Sequence, residues 1–439
     1  MNPTHHSATV MVSRRFCLAL LLAVLPVHAL AQLVNGRLIS SIYTWEKFDT
    51  VDVSETFGRG FQSVLLDITQ SKFSFHTHLQ GAINLQKNLD ETPDFRAWYL
   101  YGRWREIGGI MDLSLGRLPY FAGVGTGTLD GALTTIRFAG DAVRLTLYGG
   151  APAPPGLALE GWKPIADNYV MGGQFSTTAV QGMRIGLSYV QRKRERPSYT
   201  GIRTDSLFNP IPTLIEPEAE SEKMAGLDAS YRTGSMRLYG RADYNVADEK
   251  AQRAQAGLLY EITDRLSFSG EFLYRRPRVP AGSFFAVFPT STTNEVEGGF
   301  DYALSEPWHL FLRGALVQYD GDESFRYSAG VSHRYLYLSY RGNAGYAGEL
   351  NAISLQAAYP LLDRMVIPNA SVSFASYKLN AEAPNENALA VAIGSTVRPL
   401  SMLSIDVQGQ WLRNKVFEND VRLFAKLTIW FTEQFHIFE

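Results

Sequence analysis

Residues 235–246 read SMRLYGRADYNV. Met236, Leu238, Gly240, Ala242, Tyr244 and Val246 fall on one side of an extended chain, and Arg237, Tyr239, Arg241, Asp243 and Asn245 fall on the other. Side chains on a strand alternate between two faces, so this two-residue period predicts a strand with one apolar and one polar face. The pattern recurs. In RLSFSGEFLYR (265–275), Leu266, Phe268, Gly270, Phe272 and Tyr274 oppose Arg265, Ser267, Ser269, Glu271 and Arg275. MLSIDVQGQW (402–411) and VRLFAKLTIWF (421–431) repeat it near the C-terminus.

About 22 such segments (range 16 to 22), each roughly ten to thirteen residues long, run from near Val34 to the end, and that length crosses a bilayer at the usual barrel tilt. Their connections alternate. Tight turns fall at TQSK (69–72), EIGG (106–109), FAGD (138–141), TGS (233–235), TDR (263–265), SEPW (305–308), LLDR (361–364) and RPLS (398–401). Between them lie longer polar or Gly/Pro-rich stretches. Lipid offers the backbone no hydrogen-bond partners, so a sheet that spans it must close on itself. The expected fold is therefore all-β: a transmembrane antiparallel barrel with short periplasmic turns, long extracellular loops and both termini on the short-turn side. Tyr231, Tyr260, Tyr274, Tyr359 and Trp411, near segment ends, suit the interfacial girdles.

The ends and the composition agree with export. Arg14 and Arg15, the apolar run FCLALLLAVLP and Ala29-Leu30-Ala31 have the three-part build of a cleaved signal peptide over 1–31, leaving 32–439 as one barrel domain. The only cysteine, Cys17, lies in that peptide, so the mature chain has no disulfide, thiolate metal site or haem attachment of its own. Without the signal arginines, 39 basic residues face 43 acidic ones, a balance that gives no support to nucleic-acid binding. No GxSxG, HExxH or comparable constellation nominates an enzyme, and no cofactor is implied.

The stretch LSLGRLPYFAGVGTGTLDGALTTIRF (113–138), with Gly116-Arg117 and Asp130-Gly131, resembles porin-type outer-membrane proteins of Gram-negative bacteria, as do the signal peptide, the cysteine-free mature chain and the hairpins. The resemblance implies an outer-membrane location, lipid and the barrel assembly machinery as partners, and passage of small hydrophilic solutes. The glycine-rich FAGVGTGTLDG (121–131) reads as a mobile extracellular loop, since it lacks the Lys-Ser/Thr and helix of a phosphate loop. The longest connection, 191–222, either folds inward as a constriction or remains a surface loop.

If the apolar faces meet lipid, the polar faces line a lumen. They carry Arg184, Arg192, Arg194, Arg237, Arg241, Asp243, Arg253, Glu261, Arg265, Glu271 and Arg275, followed by Glu295, Glu297 and Asp301. The arginines either form a basic strip that biases a pore toward anions or pair with the interleaved carboxylates. His76 and His78, in FSFHTHLQG (73–81), share the inward face and are weak metal candidates, expected opposite Leu65 and Ser63 with Asp67 diagonal to His76. With no N-terminal plug expected, two readings remain: a diffusion channel, or a scaffold that sheathes a lumen-filling partner such as a multihaem protein.

Overall fold

A computed structural model describes residues 32–50, 53–85, 95–159, 161, 163–196, 198–204, 210–216, 219–279, 291–346, 348–380 and 382–435. The signal peptide expected over 1–31 lies outside the described residues. The first strands are β1 (Gln32–Thr50), β2 (Val53–Gln70), β3 (Phe73–Asn84), β4 (Phe95–Ile107), β5 (Met111–Ala122), β6 (Gly125–Phe138), β7 (Val143–Pro152), β8 (Tyr169–Thr177) and β9 (Met183–Arg194). A hairpin of β10 (Tyr199–Thr204) and β11 (Pro210–Ile215) interrupts the series. There follow β12 (Glu220–Thr233), β13 (Met236–Asn245), β14 (Lys250–Thr263), β15 (Leu266–Arg275), β16 (Thr293–Ser305), β17 (Trp308–Tyr319) and β18 (Asp322–His333). The last are β19 (Leu336–Gly345), β20 (Glu349–Ala358), β21 (Val366–Lys378), β22 (Glu386–Leu400), β23 (Leu403–Arg413) and β24 (Asp420–Phe435).

All but β10 and β11 belong to one 22-stranded antiparallel sheet, in which each strand pairs with its sequence neighbour and β9 pairs with β12. The sheet closes where β1 meets β24, from Gln32↔Phe435 to Thr44↔Leu423. Closure removes every free edge, which is the condition for crossing lipid. At this seam Gly36 lies beneath the Phe431 ring, which occupies the space a Cβ would need.

The alternation places the faces as the sequence predicts. Leu38 and Ile42 on β1, Leu187 on β9, Leu227 on β12, Leu312 and Leu316 on β17 and Leu423 on β24 are exposed on the outer face. Trp104, Tyr231, Tyr260, Trp308 and Tyr359 are exposed near the short-turn rim, at the level of an interfacial girdle. The short-turn rim has two-residue turns at Ser71–Lys72, Gly234–Ser235, Asp264–Arg265 and Glu306–Pro307.

Two expectations need correction. Wall strands range from 9 residues in β8 to 19 in β1, wider than the predicted span. The opposite rim is also not uniformly long-looped, because β17 and β18 are joined by Asp320-Gly321 alone. The connection 191–222 contains the β10–β11 hairpin, which pairs with no wall strand and exposes Ile202 and Leu214.

Candidate functional site: a hairpin folded into the lumen

β5 follows β4 only as far as Leu100↔Arg117, and β6 follows β7 only from Leu129↔Pro152. Between them, residues 119–128 take strand partners only from one another and leave the wall. Leu118, Tyr120, Ala122, Val124 and Leu129 are buried against Tyr148, Val170, Val190 and Met224, which are inward residues of β7, β8, β9 and β12. Tyr120 stacks on Tyr148 at 4.5 Å between centroids. At the tip, the Val124 N–H donates to Ser188 Oγ at 3.0 Å, and a Cβ on Gly226 would collide with the Val124 side chain. Ser188 and Gly226 lie near the middle of β9 and β12, so the hairpin reaches mid-depth in the barrel. Its other face carries Phe121, 78% exposed, toward the open lumen.

FAGVGTGTLDG is therefore not a mobile extracellular loop but the end of an ordered inward hairpin. The glycines have a packing reason. A Cβ at Gly125 would collide with the Tyr148 hydroxyl, and one at Gly123 with Ser188. Where β5 turns away, Gly116 has φ 129° and no room for a Cβ against the Leu100 carbonyl, a combination only glycine accepts.

Departure of the hairpin leaves the β4 edge without its partner, and buried backbone groups need one. The β7–β8 connection supplies it: the Ala97 N–H donates to the Leu157 carbonyl at 2.9 Å, and the Ala153 N–H donates to Thr128 at 3.0 Å. Arg117, 5% exposed, joins all three pieces. Its Nε and Nη2 grip both Asp130 oxygens at 2.6 and 2.7 Å, while Nη1 donates to Leu157 and Ala158 at 2.9 Å and to Ala97 at 3.4 Å. Such a bidentate pair fixes geometry as well as charge.

The charged inward residues are paired in part. Toward the long-loop rim, Arg192 pairs with Glu222, which also accepts from Arg278 at 3.0 Å. Among the described residues Arg194 reaches the Ala153 carbonyl, at 3.4 Å, and no carboxylate. Arg253 donates to Gln255, and Arg275, its register partner, has no carboxylate partner among the described residues. Elsewhere on the inward wall several charges are matched. Arg241 holds the buried Asp243 at 2.9 Å, Arg326 bridges Glu295 and Glu297, and Arg313 holds Asp301 at 2.6 Å. Glu271 accepts from Tyr239 and from Gln255. Toward the short-turn rim, Arg184, Arg237 and Glu261 are exposed without an ion pair among the described residues. Arg265 belongs to the Asp264–Arg265 turn rather than to the strand wall, because the register shifts at Glu261/Thr263.

The two histidines do share the inward face, but in a different register. His76 lies opposite Asp67 and His78 opposite Leu65. His76 Nδ1 is 2.5 Å from Asp67 Oδ1 and its Nε2 is 2.9 Å from Ser74 Oγ, so neither nitrogen is turned toward His78. The ring of His78 instead stacks on Trp98.

No family model and no curated protein matches the chain. Among solved structures, a mutant form of the ferric enterobactin receptor PfeA of Pseudomonas aeruginosa aligns with a TM-score of 0.59 over 90% of this chain and 80% of that one, at 10% identity. The fold is that of an outer-membrane β-barrel. OccAB3 of Acinetobacter baumannii and OccK7 of Pseudomonas aeruginosa each align over 91% of this barrel and 99% of their own chains, at 11% identity and a TM-score of 0.43. The sequence showed the strands and their faces but missed the roles of Arg117, Asp130, Ser188 and Gly226. The usable signal was the apolar series Leu118, Tyr120, Ala122 and Val124, which a water-exposed loop has no reason to carry.

Proposed function

We propose that this barrel is a porin-type outer-membrane channel through which small hydrophilic solutes diffuse passively past a constriction formed by residues 118–128. The observation that carries this reading is the hairpin tip fixed at mid-depth by Val124, Ser188 and Gly226, with Phe121 turned to the open side. About 22 strands enclose a wide lumen, and an element that narrows it at one level is what a solute filter requires. A multihaem or other lumen-filling partner would have to skirt or displace this hairpin, which favours the channel over the sheath. Export by the signal peptide over 1–31, insertion by the assembly machinery and lipid against the outer face belong to the same reading. The unmatched arginines at the two mouths, Arg184, Arg237 and Arg265 at one and Arg194, Arg253 and Arg275 at the other, give the pore a preference for anions.

Conductance of the purified protein in planar bilayers tests the reading. The native chain gives an ohmic pore, and replacing residues 119–127 by an Asn-Gly turn raises single-channel conductance at least about twofold, as a wider bore requires. No ohmic current from either protein would sink the channel, and equal conductance would sink the constriction.

A further inference from the structure

Beside the base of the hairpin, the inward surface of β24 and β1–β4 has a character unlike the charged wall. One row across these strands runs from Trp430 through Arg37 and Leu65 to His78 and Tyr99. In the next row, toward the short-turn rim, Asp67 lies opposite His76 and His76 opposite Tyr101. The β3–β4 register skips Trp98, between His78↔Tyr99 and Leu79↔Ala97. A bulge of this kind re-aims a side chain, and here it turns the Trp98 indole to the same side as Tyr99. The indole stacks on His78 at 5.7 Å and 14°, and the Tyr99 ring meets His78 edge-on at 5.6 Å. Tyr101 stacks on His76 at 4.9 Å.

The two indoles remain accessible, while Tyr101 packs in part against the hairpin cluster. Trp98 is 39% exposed and Trp430 37% exposed. The indole N–H groups of Trp98 and Trp430, the hydroxyls of Tyr99 and Tyr101 and the Arg37 guanidinium have no hydrogen-bond partner among the described residues. Asp67 Oδ1 is taken by His76, and half of the Asp67 side chain remains accessible. The patch thus offers flat apolar faces edged by polar groups, with one cation and one anion in neighbouring rows.

We propose that this patch binds neutral pyranose sugars. A pyranose has an apolar C–H face that stacks on aromatic rings and a rim of hydroxyls that both donate and accept hydrogen bonds. Arg37 and Asp67 offset one another, so a carboxylate ligand would meet Asp67 and an amine would meet Arg37. A neutral polyhydroxylated ring meets neither penalty and uses both groups. The inference rests on the channel reading for the route by which a sugar reaches the patch.

Binding to the folded, detergent-solubilised protein is measured by saturation-transfer NMR with methyl glucoside, benzoate and mannitol as separate probes, and in parallel by current block in bilayers. Methyl glucoside binds, while mannitol, which lacks a flat face, and benzoate bind much more weakly. Trp98→Ala and Tyr99→Ala each weaken glucoside binding about three- to tenfold, the loss expected of one aromatic contact, and Arg37→Gln weakens it without exposing the rings. Tyr231→Ala, on the outer face, leaves it unchanged. Benzoate binding that depends on Trp98 in the absence of glucoside binding would overturn the proposal in favour of a planar anion, and no binding of any probe would overturn it outright. If Trp98→Ala does not fold, Tyr99→Ala and Arg37→Gln still decide. Glucoside binding without an ohmic pore keeps the site and removes the channel, whereas a conducting pore that glucoside neither binds nor blocks does the reverse.

Discussion

Arg117 shows how much of this molecule can depend on a single side chain. Its guanidinium and the Asp130 carboxylate are 4% and 15% exposed, so each charge needs the other. Arg117→Met strands the carboxylate, an error that costs about 3–5 kcal/mol in buried pairs. The expected outcome is a lower urea midpoint for the vesicle-inserted barrel, with most of the loss restored by Asp130→Leu in the same chain. An unchanged midpoint for the single variant would show the pair to be dispensable. The sequence displayed Gly116-Arg117 and Asp130-Gly131 as a pattern without giving its meaning, because the two charges meet only if Gly123-Val124 forms a two-residue turn. The histidines were legible to the same degree. Their shared face followed from the period, but their partners were misplaced by two residues, a slip that preserves the face and changes every neighbour.

At the scale of elements, the hairpin 118–128 behaves as a strand pair that has exchanged one set of neighbours for another. Its residues alternate as wall residues do, so periodicity could locate the strands but not say that their ends turn inward; that outcome depends on Tyr148, Val170, Val190 and Met224, which are distant in sequence. The fit at the tip is tight enough to test. Gly226→Val places a side chain where Val124 sits and lifts the tip from the wall, and Ser188→Ala removes the hydrogen bond to the Val124 N–H, worth about 1 kcal/mol. Single-channel recordings should show added open-state noise for both, greater for Gly226→Val. Recordings as quiet as those of the native barrel would mean that the tip is held elsewhere. The sequence placed its candidate constriction in 191–222 instead, and the β10–β11 hairpin within that connection pairs with no wall strand.

For the whole molecule, the lumen is a field as well as a bore. Several inward charges are paired, while Arg237 near one rim and Arg275 near the other have no ion pair among the described residues, so on the channel reading a solute would meet them before and after the hairpin. Arg237→Glu combined with Arg275→Glu, one at each mouth, should lower the anion-to-cation permeability ratio read from reversal potentials under a salt gradient, with the effect fading at high salt as screening shortens its range. An unaltered ratio would remove the arginines from any role in selectivity. Arg241 is a poor probe for this purpose, because its loss strands the buried Asp243. The closed sheet and its strand number were legible because lipid imposes one rule on every strand; the seal beside β4 was not, because it depends on Leu157 meeting an edge that only the departed hairpin exposes. That seal makes the pore modular. The Arg117–Asp130 clasp and the Leu157 patch lie outside residues 119–127, so this segment is a cartridge that a nanopore designer can exchange for another insert while the surrounding wall stays watertight.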